Sequence, residues 1–285
     1  MKIVIYGLGK SGTSALFYKV KSSLPPGTIA LFEPSSYGLR ERARERLHAL
    51  LRGRIMPDVL AKVLPCDPRP VRVRDFDGFD RQVLIVRDPR DWLVSGLLYR
   101  SYHAAGFHAD AEARDFLELL RRKEAEPRSV PLLNLIQALE QAQQAADSSP
   151  WRERFAEQAV ARPLAFHAER PRLPVFRYEQ MVDGVFQAVE DVLGFPLSGS
   201  SAVPPDLQRV VRTKGYGTWR DWFTPSDVDS IRPILQPYLD RYYPAADWDL
   251  SPSPSLNPDH GSRYVEGLMN ERRALLDLPA LASPT

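Results

Sequence analysis

The opening segment, MKIVIYGLGKSGTSALFYKV, constrains the fold more than any other part of the chain. Residues 2–6 form a short β-branched apolar run that predicts a buried parallel strand, and residues 11–22 carry the apolar spacing of a helix. A proline and glycine turn then leads into residues 28–33, TIALFE, which predict a second strand. This order predicts an α/β fold, with a mostly parallel central sheet flanked by helices and ligands bound at the carboxyl ends of the strands.

The rest of the chain continues the alternation of strands and helices. Strands are predicted at residues 82–86, QVLIV, and near 174–180. Residues 1–245 are expected to form one domain, and 246–285 a Pro/Ser-rich connector and a terminal helix that either packs on that domain or mediates a homodimer. Helices are predicted over 38–52, 56–64, the residues that follow RDP, much of 112–168, 185–195 closed by Gly194, and 263–278.

Composition excludes several classes of protein. With 44% hydrophobic and 26% charged residues the chain has the balance of a soluble globular protein, and no apolar run approaches the roughly 20 residues that span a bilayer. The first residues lack the pattern of a secretory signal, so a cytoplasmic location is expected. The single cysteine, Cys66, excludes an internal disulfide and a cysteine-rich metal site. A net charge of +2 argues against a broad nucleic-acid-binding face.

The glycine-rich loop after the first strand fits two kinds of ligand. Gly7-x-Gly9-x-x-Gly12 matches the dinucleotide fingerprint, and Glu33 ends the second predicted strand 21 residues after Gly12, where a ribose-binding acid would lie. A Walker A loop is excluded, because its pattern would require a glycine where Val4 stands.

The alternative is a loop that holds a phosphate or a phosphosulfate. The amides from Gly9 to Ser14 would surround an anion at a helix N-terminus, where the helix dipole also favours negative charge. Lys10 would lie over the bridging oxygen of a phosphosulfate, and the hydroxyls of Ser11, Thr13 and Ser14 would donate hydrogen bonds. From this loop alone, the dinucleotide and the anion interpretations stay equally open.

A second motif, QVLIVRDPRDWLVSG, places Arg87 at the end of a predicted strand and Ser95 in the next helix, so that both reach one anion above the sheet edge. With this motif the sequence resembles the sulfotransferase family that uses 3′-phosphoadenosine 5′-phosphosulfate (PAPS). In that family a KSGTT or RSGTT loop binds the 5′-phosphosulfate, and a strand ending in R-(D/N)-P-x-D-x-x-x-S binds the 3′-phosphate. Residues 10–14 and 87–95 match both motifs in order and spacing. The resemblance implies a P-loop-like strand, loop and helix architecture, with PAPS as co-substrate and PAP as product.

Two further stretches extend the resemblance to about residues 3–243. FRYEQMVDG is similar to the family's YEDL segment, in which a tyrosine contacts the adenine, and Tyr178 is the matching position. RTKGYGTWRDWFT is similar to the late R-K-G-x-x-G-x-W loop that closes over the 3′-phosphate. A threonine separates the arginine from the lysine here, which leaves two alternative alignments. The candidate ligands under them are Arg212, Lys214 and Gly215.

The resemblance also implies a mechanism. Sulfuryl transfer is an in-line displacement in which charge develops on the attacking and leaving oxygens, so that positioning and electrostatics supply most of the catalysis. Lys10 would stabilise the charge on the leaving phosphate while the loop amides and Arg87 hold it in line. The acceptor is expected to be an alcohol, phenol or amine, either a small molecule or carrier-bound, and this chemistry requires no metal ion.

A base must also take the acceptor proton. The best-known cytosolic branch of the family has a histidine where Val63 stands, whereas other branches use a glutamate just after the first helix, a position that Glu33 matches. The resemblance therefore implies Glu33 as general base, a role that would gain from partial burial because burial raises the pKa of a carboxyl. Lys62 is a candidate for orienting Glu33 or the sulfuryl oxygens, and a solvated lysine on a helix is the alternative. Glu33 as a simple cap of the turn stays an alternative, and His103 and His108 are fallback bases.

Two other functions remain open from the sequence. An NAD(P)-dependent enzyme that uses the glycine fingerprint would bind nicotinamide and would give Arg87 no role. A catalytically silent nucleotide-binding homologue would bind PAP without turnover.

Overall fold

Parallel strands form the central sheet of the chain, which the structure, a computed structural model, describes over residues 1–51, 57–67, 69–143 and 151–281. Within these residues the sheet has five strands, so the prediction of a mostly parallel α/β fold is confirmed. The strands are β1 (Lys2–Gly7), β2 (Ile29–Phe32), β3 (Val59–Val63), β4 (Arg81–Val86) and β5 (Val175–Arg177). Their spatial order is β2-β3-β1-β4-β5.

The chain divides into two units, each made of two segments. The first unit comprises Met1–Arg87 and Ala161–Gln208 and contains the sheet; the second comprises Asp88–Val160 and Arg209–Thr285. None of the described helices is long and apolar enough to cross a membrane. In chain order the helices are α1 (Thr13–Ser23), α2 (Leu39–Leu51), α3 (Pro89–Arg100), α4 (Asp110–Ala125), α5 (Leu132–Gln143), α6 (Trp151–Ala156), α7 (Arg162–Ala168), α8 (Tyr178–Val182), α9 (Gln187–Leu193), α10 (Trp219–Trp222), α11 (Pro225–Tyr242) and α12 (Ser262–Ala274).

The first strand lies at the centre of the sheet and is buried on both faces. It pairs with β3 on one side and β4 on the other, with Ile5 opposite Lys62 and opposite Val83. Because side chains alternate along a strand, Ile5 points into the core formed with α1 and α9, while Tyr6 packs its ring against Phe166 of α7 on the other face. This placement fixes the loop after β1 at the carboxyl edge of the sheet.

The prediction of a short helix over 56–64 is wrong. Residue 56 lies outside the described residues, and Val59–Val63 form strand β3, fully buried between β1 and β2. A short apolar run has no periodicity that separates a buried helix from a buried strand. Pairing with two neighbours decides the outcome here, and it puts Lys62 on a strand between the first and second strands of the chain.

The predicted helices discussed next are present, but several differ in length from the prediction. The helical stretch predicted within 112–168 is divided among α4 to α7, with residues 144–150 outside the described ranges. The helix predicted at 185–195 is confirmed, since α9 ends before Gly194, which has φ 81° and donates its N–H to the Glu190 carbonyl (2.7 Å). The terminal helix α12 lies in the second unit, where Arg273 donates to the carbonyl of His108 (2.9 Å). The boundary at residue 245 and the homodimer stay predictions.

Candidate functional site

The candidate site lies where the connections from β1 and β4 leave the sheet. These two strands are neighbours, yet the chain leaves β1 toward β2 on one side of the sheet and leaves β4 toward β5 on the other. Ligands of open α/β sheets bind at such a switch point, beyond the carboxyl ends of the strands. Lys10 in the loop after β1 and Arg87 directly after β4 are therefore the residues that topology brings together.

The strand order also bears on the dinucleotide interpretation of the loop. In the usual dinucleotide-binding sheet the second strand lies beside the first, so that the acid at its end faces the ribose. Here β3 lies between β1 and β2. Glu33, which follows β2, is therefore two strands away from the glycine loop rather than on the adjacent strand.

Two glycines allow the loop to close tightly over the strand. A Cβ on Gly7 would lie 2.5 Å from the γ-methyl of Thr13 and 2.9 Å from a methyl of Ile85. Gly12 has φ 86°, and a Cβ there would overlap the ring of Tyr178. Gly7 and Gly12 therefore allow the loop to pack closely against Thr13 and against Tyr178.

Lys10 and Arg87 are joined through the backbone. Lys10 adopts φ 66°, a left-handed conformation uncommon outside glycine, and its carbonyl accepts a hydrogen bond from Arg87 Nη1 (3.0 Å). The Arg87 guanidinium also lies over the ring of Tyr178, 4.4 Å from its centroid. Both Arg87 and Tyr178 are buried. Arg87 is thus in contact, within the first unit, with the two other residues that the resemblance assigned to the same nucleotide.

The three hydroxyl residues of the loop have different surroundings. Ser11 is buried and donates its hydroxyl proton to the Leu8 carbonyl (2.7 Å), and this hydrogen bond closes the loop. Thr13 is buried beside Gly7. Ser14 accepts a hydrogen bond from Lys62 Nζ (2.9 Å). Lys62 therefore connects the first turn of α1 to the neighbouring strand β3.

The N-terminus of α1 carries no negative charge of its own. Gly12 is the N-cap residue and supplies no side-chain cap, and the first turn contains no acidic residue. The first amides of a helix have no partner within the helix, and the helix dipole makes this end positive. The contrast is α3, whose N-cap residue Asp88 accepts from the Arg90 amide (2.9 Å). The α1 end thus suits an anionic ligand, and the loop residues stay predictions as the groups that bind it.

Glu33 is fixed by its backbone and by two cations. Its backbone has φ 52°, its amide donates to the Lys62 carbonyl (2.9 Å), and its two carboxylate oxygens pair separately, Oε1 with Lys62 Nζ (2.7 Å) and Oε2 with Arg69 Nη2 (2.9 Å). Lys62 is only 3% exposed, and its ammonium lies 4.0 Å from the centroid of the Phe32 ring. The carboxylate is therefore held by Lys62, whose ammonium also donates to Ser14.

The neighbouring charges determine the protonation state of Glu33. Burial acts to raise the pKa of Glu33, but the ion pairs and hydrogen bonds with Lys62 and Arg69 outweigh burial and hold that pKa below its ordinary value. Burial lowers the pKa of Lys62, and Glu33 offsets only part of that effect. The rise in pKa that would make Glu33 a stronger base is thus outweighed by its two cationic neighbours. Glu33 is ionised at neutral pH.

The second unit contains the remaining predicted ligands. Ser95 is buried in α3. Arg212 is also buried and donates to the His260 carbonyl (3.1 Å) and to Thr218 Oγ1 (3.4 Å). Lys214 is exposed, and the Gly215 amide donates to Thr213 Oγ1 (3.4 Å). These positions stay predictions as nucleotide ligands.

Asp91 organises the late loop within the second unit. The side chain is fully buried and accepts hydrogen bonds from the Gly217 amide, the Thr218 hydroxyl (3.1 Å) and the Trp219 amide (3.0 Å). The acid of the RDPRD motif therefore holds the segment that leads into α10. The sequence supplied both motifs but gave no sign that they are joined through this carboxylate.

The fallback histidines have other surroundings. His103 packs edge-on against Tyr99 and Tyr102, and burial together with the charges of Arg272 and Arg209 lowers its pKa. His108 follows in the same connection, and its carbonyl accepts from α12. Arg69, in contrast, was missed by sequence reasoning. It lies in an irregular loop beside a proline, and only the fold brings it to Glu33.

No metal centre is visible in the part of the chain that the structure describes. In these residues no three His, Cys, Asp or Glu side chains are grouped so as to hold a metal ion. The side chains around Glu33 are instead an ammonium and a guanidinium.

Known proteins share little sequence with this chain. No family model matches it, and no curated protein matches it. Among solved structures, it is similar to the crystal structure of mouse sulfotransferase SULT7A1 complexed with PAP, with 15% identity, a TM-score of 0.42 and 84% of each chain covered.

Proposed function

We propose that this protein is a PAPS-dependent sulfotransferase that transfers a sulfuryl group to a hydroxyl or amine acceptor. The observation that carries the proposal is the position of Arg87. Its guanidinium contacts the carbonyl of Lys10 and the ring of Tyr178, and these three residues come from three separate motifs of the sequence. In the resemblance stated above, these motifs bind the 3′-phosphate, the 5′-phosphosulfate and the adenine of one nucleotide.

The proposed reaction uses groups that the first unit holds together. The acceptor oxygen or nitrogen forms a bond to sulfur while the bond between sulfur and the bridging phosphate oxygen breaks, and the electron pair of that bond leaves with PAP. The amides at the α1 N-terminus and Lys10 stabilise the charge that develops on the leaving oxygen. The uncapped helix end and the absence of acid in its first turn support this role.

Glu33 would take the acceptor proton. Its lowered pKa makes it a weak base, but one that is fully ionised at neutral pH. A hydroxyl becomes more acidic as its oxygen bonds to sulfur, so proton transfer late in the reaction does not need a strong base. Lys62, which contacts both Glu33 and Ser14, would position the carboxylate relative to the loop.

The dinucleotide alternative is less well supported. The strand order separates Glu33 from the glycine loop by β3, and both oxygens of Glu33 already accept from cations. A ribose diol would have to compete with two ion pairs. A silent nucleotide-binding homologue would share the nucleotide site, so only turnover separates it from the proposed enzyme.

The first experiment is titration calorimetry of the purified protein with PAP, NAD and NADP. We expect micromolar binding of PAP to the wild type and at least tenfold weaker binding to Arg87→Ala. Arg81→Ala is the matched control, because Arg81 is an exposed arginine at the other end of the same strand. Binding of NAD or NADP that is insensitive to Arg87→Ala, without binding of PAP, would refute the proposal. Transfer of radiolabelled sulfate from PAPS to acceptors then distinguishes an enzyme from a silent homologue.

A further inference from the structure

A groove of about 610 Å³ opens in the first unit beside the loop that holds Glu33. We call it the arginine groove, after the side chains that give it its charge and shape. These are Cys66, Arg72, Arg74, Arg162, Phe166 and Arg170.

Two walls of the groove come from different parts of the first unit. Arg72 and Arg74 lie on one wall, at a short 3₁₀ turn over Val73–Phe76. The other wall is α7 and the residue pair after it, where the Arg170 guanidinium lies over the ring of Phe166, 4.8 Å from its centroid. The groove therefore combines an aromatic surface with cations on both sides.

The acids of the groove do not neutralise the first wall. Asp75 directs its carboxylate to the Tyr37 amide (3.0 Å), and Glu169 pairs with Arg170 (3.4 Å). Within the described residues, neither Arg72 nor Arg74 forms an ion pair, and both are exposed. Four arginines and two acids line the groove, so its lining carries a net positive charge. Such a cleft raises the local concentration of anionic ligands, and guanidinium groups bind oxyanions in a bidentate manner.

Short stretches of chain connect the lining of the groove to the loop that contains Glu33. Its floor includes Cys66, four residues after Lys62, and Arg69 of the same loop pairs with Glu33 Oε2. The Arg72 amide donates to the carbonyl of Ser35 (2.8 Å), two residues after Glu33. One residue spans at most about 3.6 Å, so these two short connections limit how far the groove can lie from the proposed base.

We propose that the arginine groove binds an oxyanion of the acceptor, so that the substrate class is an anionic alcohol or phenol whose hydroxyl lies toward Glu33. This inference rests on the proposed function for the role of Glu33. The oxyanion is a carboxylate, phosphate or sulfate, since each offers two oxygens that accept a pair of parallel hydrogen bonds from a guanidinium. A volume of about 610 Å³ is that of a pocket for one small molecule.

The test is calorimetric titration of the PAP-saturated protein with three phenols that differ in charge. The probes are 4-hydroxyphenylacetate, 4-hydroxyphenyl phosphate and neutral 4-hydroxyphenylacetamide, and saturation with PAP keeps the phosphate probe out of the nucleotide site. We expect at least one anionic probe to bind tenfold or more tightly than the neutral one. The carboxylate and phosphate arms show which oxyanion the groove prefers.

Variants then locate the binding. Arg72→Ala/Arg74→Ala should weaken binding of the preferred anion at least tenfold while leaving the affinity for PAP unchanged, and Arg72→Lys/Arg74→Lys should restore part of it. Arg232→Ala, an exposed arginine of α11 in the second unit, is the control and should change neither affinity.

Equal affinities for the three probes, no binding of either anion, or anion binding that survives the double alanine variant would overturn the groove proposal. Failure of the proposed function has a different signature. If PAP does not bind, the same titrations without PAP still report whether Arg72 and Arg74 hold an oxyanion.

Discussion

The guanidinium of Arg87 lies over the ring of Tyr178, with 4.4 Å between the guanidinium carbon and the ring centroid. A cation over an aromatic face that is shielded from water is stabilised by about 2 kcal/mol. Tyr178 begins α8 and also covers Gly12, so one ring connects the loop after β1 with the residue after β4.

Replacing this ring tests the connection. Tyr178→Phe keeps the aromatic face and should leave PAP affinity within about threefold of the wild type, whereas Tyr178→Ala should weaken it at least tenfold, because the loss of about 1.4 kcal/mol is a factor of ten. Calorimetric titration with PAP measures both. Equal losses in the two variants would mean that the tyrosine hydroxyl, not the ring, matters.

Gly12 should tolerate no side chain. Gly12→Ala puts a Cβ at φ 86° and into the Tyr178 ring, and we expect it to destabilise the fold by about 1–3 kcal/mol. The matched control is Gly9→Ala in the same loop, where nothing lies within 4 Å of the added carbon. The urea midpoint of unfolding gives the comparison. Similar midpoints for the two variants would contradict this account of the loop.

The Lys62 ammonium should determine the pH at which activity falls on the acid side of the profile. Because Lys62 helps to hold the pKa of Glu33 below its ordinary value, Lys62→Met should raise that pKa and move the acid limb of the kcat/KM profile to higher pH. Glu33→Gln should lower kcat by roughly 10²–10⁴-fold, the usual contribution of a general base. Lys21→Met, an exposed lysine of α1, serves as control. A limb that does not move in Lys62→Met would exclude the pairing as its cause.

The stability of the fold should also depend on the ionisation of Glu33. A group whose folded pKa lies below its unfolded value stabilises the fold above the unfolded value, which for glutamate is about 4.3, and this stabilisation is lost as the pH falls through the folded pKa. The urea midpoint of the wild type should therefore fall more steeply below pH 4 than that of Glu33→Gln. Parallel curves would show that Glu33 contributes nothing to acid unfolding.

Asp91 should be a structural residue of the second unit. Asp91→Ala leaves the Gly217 and Trp219 amides without their acceptor, and we expect a loss of about 2–4 kcal/mol, since each buried donor left unpaired costs about 1–3 kcal/mol. Asp229→Ala, at an exposed position of α11, should have little effect. Denaturant unfolding followed by tryptophan fluorescence reports on both. A normal midpoint for Asp91→Ala would mean that the loop finds other acceptors.

The sequence predicts those parts of the site that depend on local pattern. Clear apolar runs and turn residues mark the strand that ends at Gly7, the helix after Gly12 and the strand that precedes Arg87. The structure contains all three. Tyr178 was expected within a strand. It begins a short helix instead, and its ring contacts the Arg87 guanidinium.

What depends on neighbours distant in the sequence could not be predicted. The run Val59–Val63 becomes a strand because β1 and β2 pair with it, and no local periodicity records those partners. Ser11 turns its hydroxyl to the Leu8 carbonyl, and Arg69 reaches Glu33 from an irregular loop. The folded environment determines the direction of both side chains, and Arg69 together with Lys62 holds Glu33 ionised.

The strand order has a consequence for how the chain is made. β4 pairs with β5, but the whole first segment of the second unit, Asp88–Val160, is synthesised between them. During translation β1 to β4 emerge first, and the outer edge of β4 has open amide and carbonyl groups until Val175–Arg177 follow. At about 5–20 residues per second this interval lasts for seconds. A nascent chain of this protein therefore presents an unpaired sheet edge, which we expect chaperones to cover until the fifth strand arrives.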